Sequence, residues 1–263
     1  MLILVITLIE AVLITFLCLF LFNLTLWVEV LVSILIGVFG ALLLRGVFFY
    51  IQIYTASRLG ARAKFTKIWG DRMIDFVFIF LNISIKKKGI ENIPKGPCVF
   101  FGNHKSLIDF FVAYRSTKEV ITFVAKKEIL DSKFVNRYIN AIDCVCIDRA
   151  NDRAAAESLI KVIKSIKSGN KAFIFPEGQR TDKTTNNMLK GRAGSYKMPL
   201  KAKVPIVPVS IRNNHLVSKR VPWKRTKVEI IYHEAISYEN YKDLNTNQIE
   251  EMVRKVVNSA FEG

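Results

Sequence analysis

The first 44 residues of the chain contain no lysine or arginine, and Glu10 and Glu29 are the only charged residues there. Residues 11–28 form a run without any charge. A secretory signal peptide has a basic start, a shorter apolar core and a small-residue cleavage site, so the stretch is not typical of one. It is long enough for two membrane-embedded helices, predicted at residues 2–22 and 25–44. A helical hairpin and one tilted span with the remainder at the interface are both compatible with this pattern.

Histidine and cysteine are scarce, with 3 and 4 residues among 263. Their spacing fits neither a zinc site nor a disulfide framework, and we expect no metal site. Cys144 and Cys146 alternate within an apolar run and are predicted to be small core residues on one face of a strand. The sequence also lacks a G-x-S-x-G nucleophile elbow, which argues against a serine esterase or peptidase.

Positive charge is concentrated after the apolar leader. The formal net charge is +17, but all 39 basic residues and 20 of the 22 acids follow residue 44, so this body carries +19. Basic residues begin directly at Arg45, which favours the cytoplasmic side for the body. Such a surface suits anionic headgroups, a nucleotide or an acidic protein. A membrane-tethered binder of anionic lipid or nucleic acid is therefore an alternative to an enzyme.

Residues 65–84 carry apolar side chains at helical spacing, which predicts an amphipathic helix on the bilayer surface or against the folded domain. Short apolar runs then alternate with helical patterns, which predicts an α/β fold with a mixed, mostly parallel sheet flanked by helices. We divide the chain into membrane-embedded hydrophobic helices (1–44), a basic and amphipathic interfacial region (45–85) and an α/β domain (86–263). Strands are predicted at residues 98–101, 120–124, 144–147, 172–175, 206–211 and 228–232, and helices at 107–117, 154–168 and 248–261, the last capped by Asn247 and Glu250.

A polar turn follows the first of these predicted strands. His104 comes after a Gly-Asn turn at the carboxyl end of residues 98–101, where open α/β sheets bind ligands. Ser106 and Asp109 have the spacing of a helix N-cap and its partner. Within one helix His104 and Asp109 would be about 140° apart, so only a histidine in the turn can reach the carboxylate. Such a pair suits general-base catalysis; a capping acid beside an ordinary turn histidine is the alternative.

A second polar turn, Pro-Glu-Gly, follows residues 172–175 and leads to Arg180. A guanidinium group is a planar fork of donors suited to phosphate, and glycine permits close approach of a ligand. An exposed ion pair in a surface turn is the alternative, but the same position at a strand end favours a binding site. Further cations near predicted strand ends are Lys126 and Arg149.

These motifs resemble those of the PlsC-type glycerophospholipid acyltransferases, specifically the 1-acylglycerol-3-phosphate acyltransferases, which carry four ordered blocks. His104 and Asp109 match the H-x4-D block, and residues 175–180 match the third block. Residues 124–129 together with 145–149 resemble the second block. Residues 204–209, with the sequence VPIVPV, match the fourth. Cysteines at positions 144 and 146 depart from the usual second block, and the chain after residue 212 matches nothing specific.

The resemblance implies transfer of a fatty acyl group from acyl-CoA or acyl carrier protein to the sn-2 hydroxyl of lysophosphatidate, giving phosphatidic acid. Glycerol 3-phosphate or another lysophospholipid remains open as the acceptor. The partners implied are these substrates and the bilayer, with no nucleic acid; the oligomeric state is left open. The implied location is the cell membrane, with the catalytic domain on the cytoplasmic side.

The same resemblance implies roles for individual residues. His104 would be the general base, oriented by Asp109, with no metal and no cofactor beyond the donor substrate. Glu177 and Gly178 would line the acceptor site, where Ser106 is also placed. The acceptor phosphate would be held by Arg180, with Lys126 and Arg149 as second choices.

Overall fold

A computed structural model describes residues 2–21, 26–117, 119–132, 136, 139–148, 150–180 and 184–262. Its centre is a seven-stranded sheet. The strands are β1 (Ile83–Lys88), β2 (Val99–Gly102), β3 (Ile121–Lys126), β4 (Cys144–Ile147), β5 (Lys171–Ile174), β6 (Ile206–Arg212) and β7 (Thr226–Tyr232). Their order in the sheet is β1-β7-β6-β2-β5-β3-β4. Strands β6, β2, β5, β3 and β4 are parallel, whereas β7 is antiparallel to β6 and parallel to β1.

Helices cover both faces of this sheet, as expected for parallel strands with apolar side chains on both sides. The helices are α1 (Leu2–Leu21), α2 (Leu26–Leu59), α3 (Lys64–Phe80), α4 (Ile108–Thr117), α5 (Asp152–Lys167), α6 (Lys197–Ala202), α7 (Val217–Arg220) and α8 (Thr246–Ser259). One core layer packs α3 and α4 against the sheet through Ile74 and Val112. The other packs α5 and the last helix, α8, through Val162 and Val253.

The predicted strands are confirmed within one or two residues at each end, and β4 has the predicted bounds. The structure adds β1, which was not predicted and which spans the boundary proposed between residues 85 and 86. The amphipathic helix ends earlier than residue 84, because residues 83 and 84 already belong to this strand. The fold is therefore the predicted mixed, mostly parallel sheet flanked by helices, with one more edge strand.

The cap predicted for the last helix is wrong. Asn245, not Asn247, is the N-cap of α8, and it forms a capping box with Gln248. Glu250 does not cap the helix; it is 3% exposed and accepts hydrogen bonds from the Gly191 N–H and from Arg254.

The two N-terminal helices pack against each other, and α2 is longer than predicted, continuing to Leu59. Arg45 lies inside α2, 2.5 Å from Glu10 of α1, so the first basic residue does not end the helix. Within the described residues, one stretch, 28–59, is long and apolar enough to cross a membrane. The α1–α2 pair packs antiparallel as a helical hairpin, which is one of the two arrangements that the sequence leaves open.

Candidate active site

The first candidate site residues lie in the turn between β2, which ends at Gly102, and α4, which begins at Ile108. His104 is therefore outside the helix, as predicted. Its Nδ1 atom lies 3.0 Å from Asp109 Oδ2. Because an ionised carboxylate only accepts hydrogen bonds, this contact puts the ring proton on Nδ1 and leaves Nε2 as an acceptor. The predicted reach of His104 back to Asp109 is confirmed.

The His104 ring is also held from its face. It stacks on Phe175, the residue before the second polar turn, with ring centroids 4.4 Å apart. The histidine side chain nevertheless keeps 22% of its surface exposed. The ring is thus held on one face by Phe175 and at Nδ1 by Asp109, while part of its surface remains accessible.

Asp109 is fully buried and its carboxylate accepts four hydrogen bonds. Oδ2 accepts the backbone N–H groups of Lys105 and Ser106, each at 2.8 Å, in addition to the His104 ring. Oδ1 accepts from Asn214 Nδ2 at 2.9 Å. The same carboxylate therefore caps the start of α4 and orients the histidine, which the sequence had left as alternatives.

Two buried asparagines outside the predicted site set hold this turn against β6. Asn103 donates to the Ile211 carbonyl at 2.9 Å and accepts the Ile211 N–H at 2.7 Å. Asn214 follows the end of β6 and reaches Asp109, after a turn in which Asn213 has a φ of 64°. An Asn-Asn pair that begins two residues after the predicted strand at 206–211 is a usable signal, because the strand-end argument that selected His104 applies there too.

The Glu177 side chain contacts the turn that carries His104. Its Oε1 accepts the backbone N–H of His104 at 2.8 Å, and its Oε2 accepts from Lys105 Nζ at 3.1 Å. The side chains of Lys105 and Glu177 are 0% and 1% exposed. Both carboxylate oxygens are therefore bonded to the turn that carries the histidine, and the side chain does not line an open surface.

The remaining predicted residues are only partly brought together. Gly178 lies in the Glu177 turn with a φ of 73°, a conformation that favours glycine, and its N–H donates to the Phe175 carbonyl. Ser106 accepts the Ile108 N–H at 3.4 Å through its hydroxyl. Arg180 is exposed just beyond the turn, and Lys126 is exposed at the end of β3, 3.3 Å from Glu128. Arg149 lies outside the described residues.

A third segment approaches the Glu177 turn at Gly191. A Cβ atom on this glycine would lie 2.8 Å from the Pro176 side chain, so a larger residue would push the two segments apart. The next residue, Arg192, donates its backbone N–H to the Pro176 carbonyl at 2.9 Å and has an exposed side chain. Arg180 and Arg192 therefore flank the same turn.

Cys98 lies at the opposite, amino end of β2 and is fully buried. Burial raises the pKa of this thiol to about 12, so the group is not a thiolate near neutral pH. Cys98, Cys144 and Cys146 are free thiols, and the last two are half-buried in the edge strand β4, less enclosed than the sequence predicted.

Residues 84–212 match the family model described as Acyltransferase. This segment contains the His104 turn, the Glu177 turn and the strands that carry them. The matched segment is slightly less than half of the chain, and within it the sequence is similar to the acyltransferase family.

Relatives of known name match more of the chain than the acyltransferase domain alone. A probable 1-acyl-sn-glycerol-3-phosphate acyltransferase of Mycoplasma pneumoniae is 27% identical over 212 residues, which are 75% of this chain and 78% of that protein. The 1-acyl-sn-glycerol-3-phosphate acyltransferase of Saccharomyces cerevisiae is 29% identical over 181 residues, 68% of this chain and 59% of the yeast protein.

The fold is also that of a solved structure. The crystal structure of the 1-acyl-sn-glycerophosphate acyltransferase PlsC from Thermotoga maritima superimposes with a TM-score of 0.63 and 24% identity. The match covers 82% of this chain and 90% of the Thermotoga chain, so it includes the acyltransferase domain and part of the flanking regions.

Proposed function

We propose that this protein transfers a fatty acyl group from a thioester, acyl-CoA or acyl carrier protein, to the sn-2 hydroxyl of 1-acylglycerol 3-phosphate, giving phosphatidic acid. The observation that carries the proposal is the His104–Asp109 pair, 3.0 Å apart at the carboxyl edge of an acyltransferase domain. The names of the Mycoplasma and yeast relatives support lysophosphatidate as the acceptor.

The proposed reaction needs no covalent bond to the protein. Nε2 of His104 takes the proton of the acceptor hydroxyl as its oxygen attacks the thioester carbonyl. The tetrahedral intermediate then expels the thiolate, the C–S bond breaks, and the proton on His104 passes to the sulfur. Asp109 holds the ring and stabilises the imidazolium that forms between these steps. The buried, protonated thiol of Cys98 is on the wrong edge of the sheet to act as a nucleophile.

The acceptor phosphate is proposed to bind beside the Glu177 turn. Arg180 is the primary candidate because its exposed guanidinium stands just after the turn, and Lys126 and Arg149 are second choices. Gly178 would leave room for the acceptor there, with Ser106 near the base. Since both oxygens of Glu177 bond to the His104 turn, we assign this residue to holding that turn.

The proposed location is the cell membrane, where both lipid substrate and product reside, with the acyltransferase domain on the cytoplasmic side. The apolar stretch at residues 28–59 and the run of basic residues from Arg45 onward support this placement.

The decisive test is acyl transfer by the detergent-purified protein. Lysophosphatidate, glycerol 3-phosphate and a lysophospholipid with a substituted phosphate are each offered with acyl-CoA and with acyl carrier protein. We expect a preference for lysophosphatidate that is lost in His104→Ala and kept in the matched control His233→Ala, whose ring bonds to Ser210 away from this turn. Near-wild-type turnover by a folded His104→Ala protein would contradict the mechanism, and activity on another acceptor only would contradict the substrate.

A further inference from the structure

Trp223 has the largest exposed fraction, 92%, of the large apolar side chains in the described chain. It lies between α7 and β7, in a segment that no motif of the acyltransferase resemblance covers. A single exposed apolar residue needs no explanation, but an indole surrounded by cations is typical of a membrane–water interface. The role of Trp223 is therefore inferred from the charged and apolar residues around it.

The segment around Trp223 is strongly basic. Residues 214–228 contain five lysines and arginines and no acid. Among the described residues none of these five makes an ion pair, although salt bridges are common elsewhere in the domain. The cations are Lys219, Arg220, Lys224, Arg225 and Lys227, all exposed except the partly exposed Arg220.

Further apolar side chains lie beside this segment. The Thr226 N–H at the start of β7 donates to the Asn82 carbonyl at 3.0 Å, just after α3 ends. Near that end, Ile79 and Phe80 are 60% and 64% exposed. The exposed end of α3 and the Trp223 segment are thus neighbours.

This surface lies on the catalytic edge of the sheet. Because β7 is antiparallel to β6, it begins where β6 ends, and β6 is parallel to β2. The start of β7 is consequently at the same edge as the His104 turn. Leu107, three residues after His104, is 69% exposed at this edge.

The direction of the apolar helix α2 follows from its contacts with α3. Thr66 bonds to the Ala56 carbonyl, and Trp69, further along α3, bonds to Gln52, an earlier residue of α2. The two helices therefore run antiparallel, and the earlier residues of α2 extend toward the carboxyl edge of the sheet. The apolar surface of α2 therefore extends toward the same edge of the sheet as the Trp223 segment.

We propose that Trp223, Ile79 and Phe80, with the five cations of residues 214–228, form a docking surface for the headgroup layer of an anionic lipid bilayer. Trp223 would enter the interface while the cations contact lipid phosphates. The catalytic edge would then face the bilayer, so the acceptor lipid reaches His104 without leaving the membrane. The inference rests on the proposed function only for the membrane location, and it names a contact separate from α1 and α2.

The test uses the full chain with Trp27→Phe and Trp69→Phe, which leaves Trp223 as the only tryptophan of three. The protein is reconstituted into phosphatidylcholine vesicles with and without phosphatidylglycerol, some carrying brominated acyl chains. In anionic vesicles we expect blue-shifted emission, quenching by the brominated lipid and several-fold weaker quenching by aqueous acrylamide. Lys224→Gln/Arg225→Gln should reverse these changes, and added salt should do so in part.

The matched control is Lys164→Gln/Lys167→Gln, which removes two exposed cations at the C-terminal end of α5, near the amino edge of the sheet. We expect this variant to behave as the parent. A Trp223 that stays open to acrylamide and is not quenched by brominated lipid would overturn the proposal, as would an equal effect of both charge variants. A response to acidic acyl carrier protein but not to vesicles would assign the surface to that protein instead. Acyl transfer measured on the same vesicles distinguishes a failed docking surface from a failed reaction, because the fluorescence does not depend on turnover.

Discussion

Lys105 and Glu177 form an ion pair whose side chains are almost wholly buried beside the His104 turn. Removing one member of such a pair leaves an uncompensated buried charge, which costs about 3–5 kcal/mol. We expect Lys105→Met to lower the free energy of unfolding by about this amount, and Lys105→Met/Glu177→Gln to lower it by less than the sum of the single changes. Denaturant unfolding at fixed detergent concentration measures this. Lys242→Met, which breaks the exposed pair with Glu239, is the matched control and should change little.

The kinetics of Glu177→Gln distinguish two possible roles of the Glu177 carboxylate. If the carboxylate holds the His104 backbone, Glu177→Gln should lower kcat and leave the acceptor KM near its parent value. If the carboxylate instead contacted the acceptor, the acceptor KM would rise with kcat little changed. Steady-state kinetics at varied acceptor concentration distinguish these outcomes in protein that is shown to be folded.

Arg180 is an exposed guanidinium with no ion pair among the described residues, placed just beyond the Glu177 turn. A charged hydrogen bond is worth about 1.5–3 kcal/mol, so Arg180→Ala should raise the acceptor KM about tenfold to a hundredfold and leave the donor KM nearly unchanged. Initial rates with each substrate varied in turn measure this. Lys164→Ala, an exposed cation at the C-terminal end of α5, serves as the control. An unchanged acceptor KM in Arg180→Ala would remove this residue from the phosphate site.

How far the site could be predicted depends on sequence distance. The His104–Asp109 contact joins residues five apart, so helix geometry alone excluded the wrong placement and favoured the right one. The bond from Asn214 to Asp109 joins residues 105 apart and requires β6 to lie beside β2. The sequence predicts the correct strand end for Glu177, but the direction of its side chain depends on the buried contact with Lys105, which no local pattern predicts.

At the scale of elements, the close packing of α1 and α2 depends on Gly37. A Cβ atom there would overlap with Thr15 Oγ1 and lie 2.6 Å from the Ala11 carbonyl oxygen, whereas one on Gly46 of the same helix would meet nothing within 4 Å. Alanine favours a helix over glycine by about 1 kcal/mol, so Gly46→Ala should keep or raise thermal stability in detergent. Gly37→Ala should lower it, because the two helices must separate. Thermal unfolding in detergent is measured by the loss of the helical circular dichroism signal. A Gly37→Ala protein that is more stable than the parent would contradict this packing.

The elements that sequence reasoning missed have physical reasons. β1 has the sequence ISIKKK, and its three consecutive lysines interrupt the alternation of apolar and polar residues that would predict a strand. As an edge strand paired only to β7, it has charged side chains that discourage pairing with other chains. The predicted end of α2 is too early because a charged residue, Arg45, marks the end of the apolar run, whereas Glu10 and the Phe48 ring accommodate its charge within the helix pair. Short continuous apolar runs between turn residues predict the other strands correctly, because strands of a parallel sheet are buried on both faces.

At the scale of the whole molecule, the chain combines an apolar helix pair with a body of net charge +19 after residue 44. These two parts imply two kinds of membrane attraction, one apolar and insensitive to salt, the other electrostatic and screened by it. Deleting residues 1–44 removes most of the apolar attraction and keeps the electrostatic one. The cut falls within α2, and the remaining segment still packs on α3 through the Phe49–Trp69 contact and the Gln52–Trp69 hydrogen bond.

We therefore expect the protein without residues 1–44 to keep the circular dichroism of the sheet domain and to bind vesicles more weakly. Its remaining binding should require anionic lipid and fall as salt is raised from 0.05 to about 0.5 M, because screening shortens the reach of the cations around Trp223. Vesicle flotation measures this, and adding Lys224→Gln/Arg225→Gln to the truncated protein should weaken the remaining binding, whereas Lys164→Gln/Lys167→Gln should not. Binding that persists in high salt or on neutral lipid would mean that the body carries a further apolar anchor, such as the exposed face of α3. Loss of the sheet signal would mean that the packing of α1 on α2 stabilises the acyltransferase domain itself.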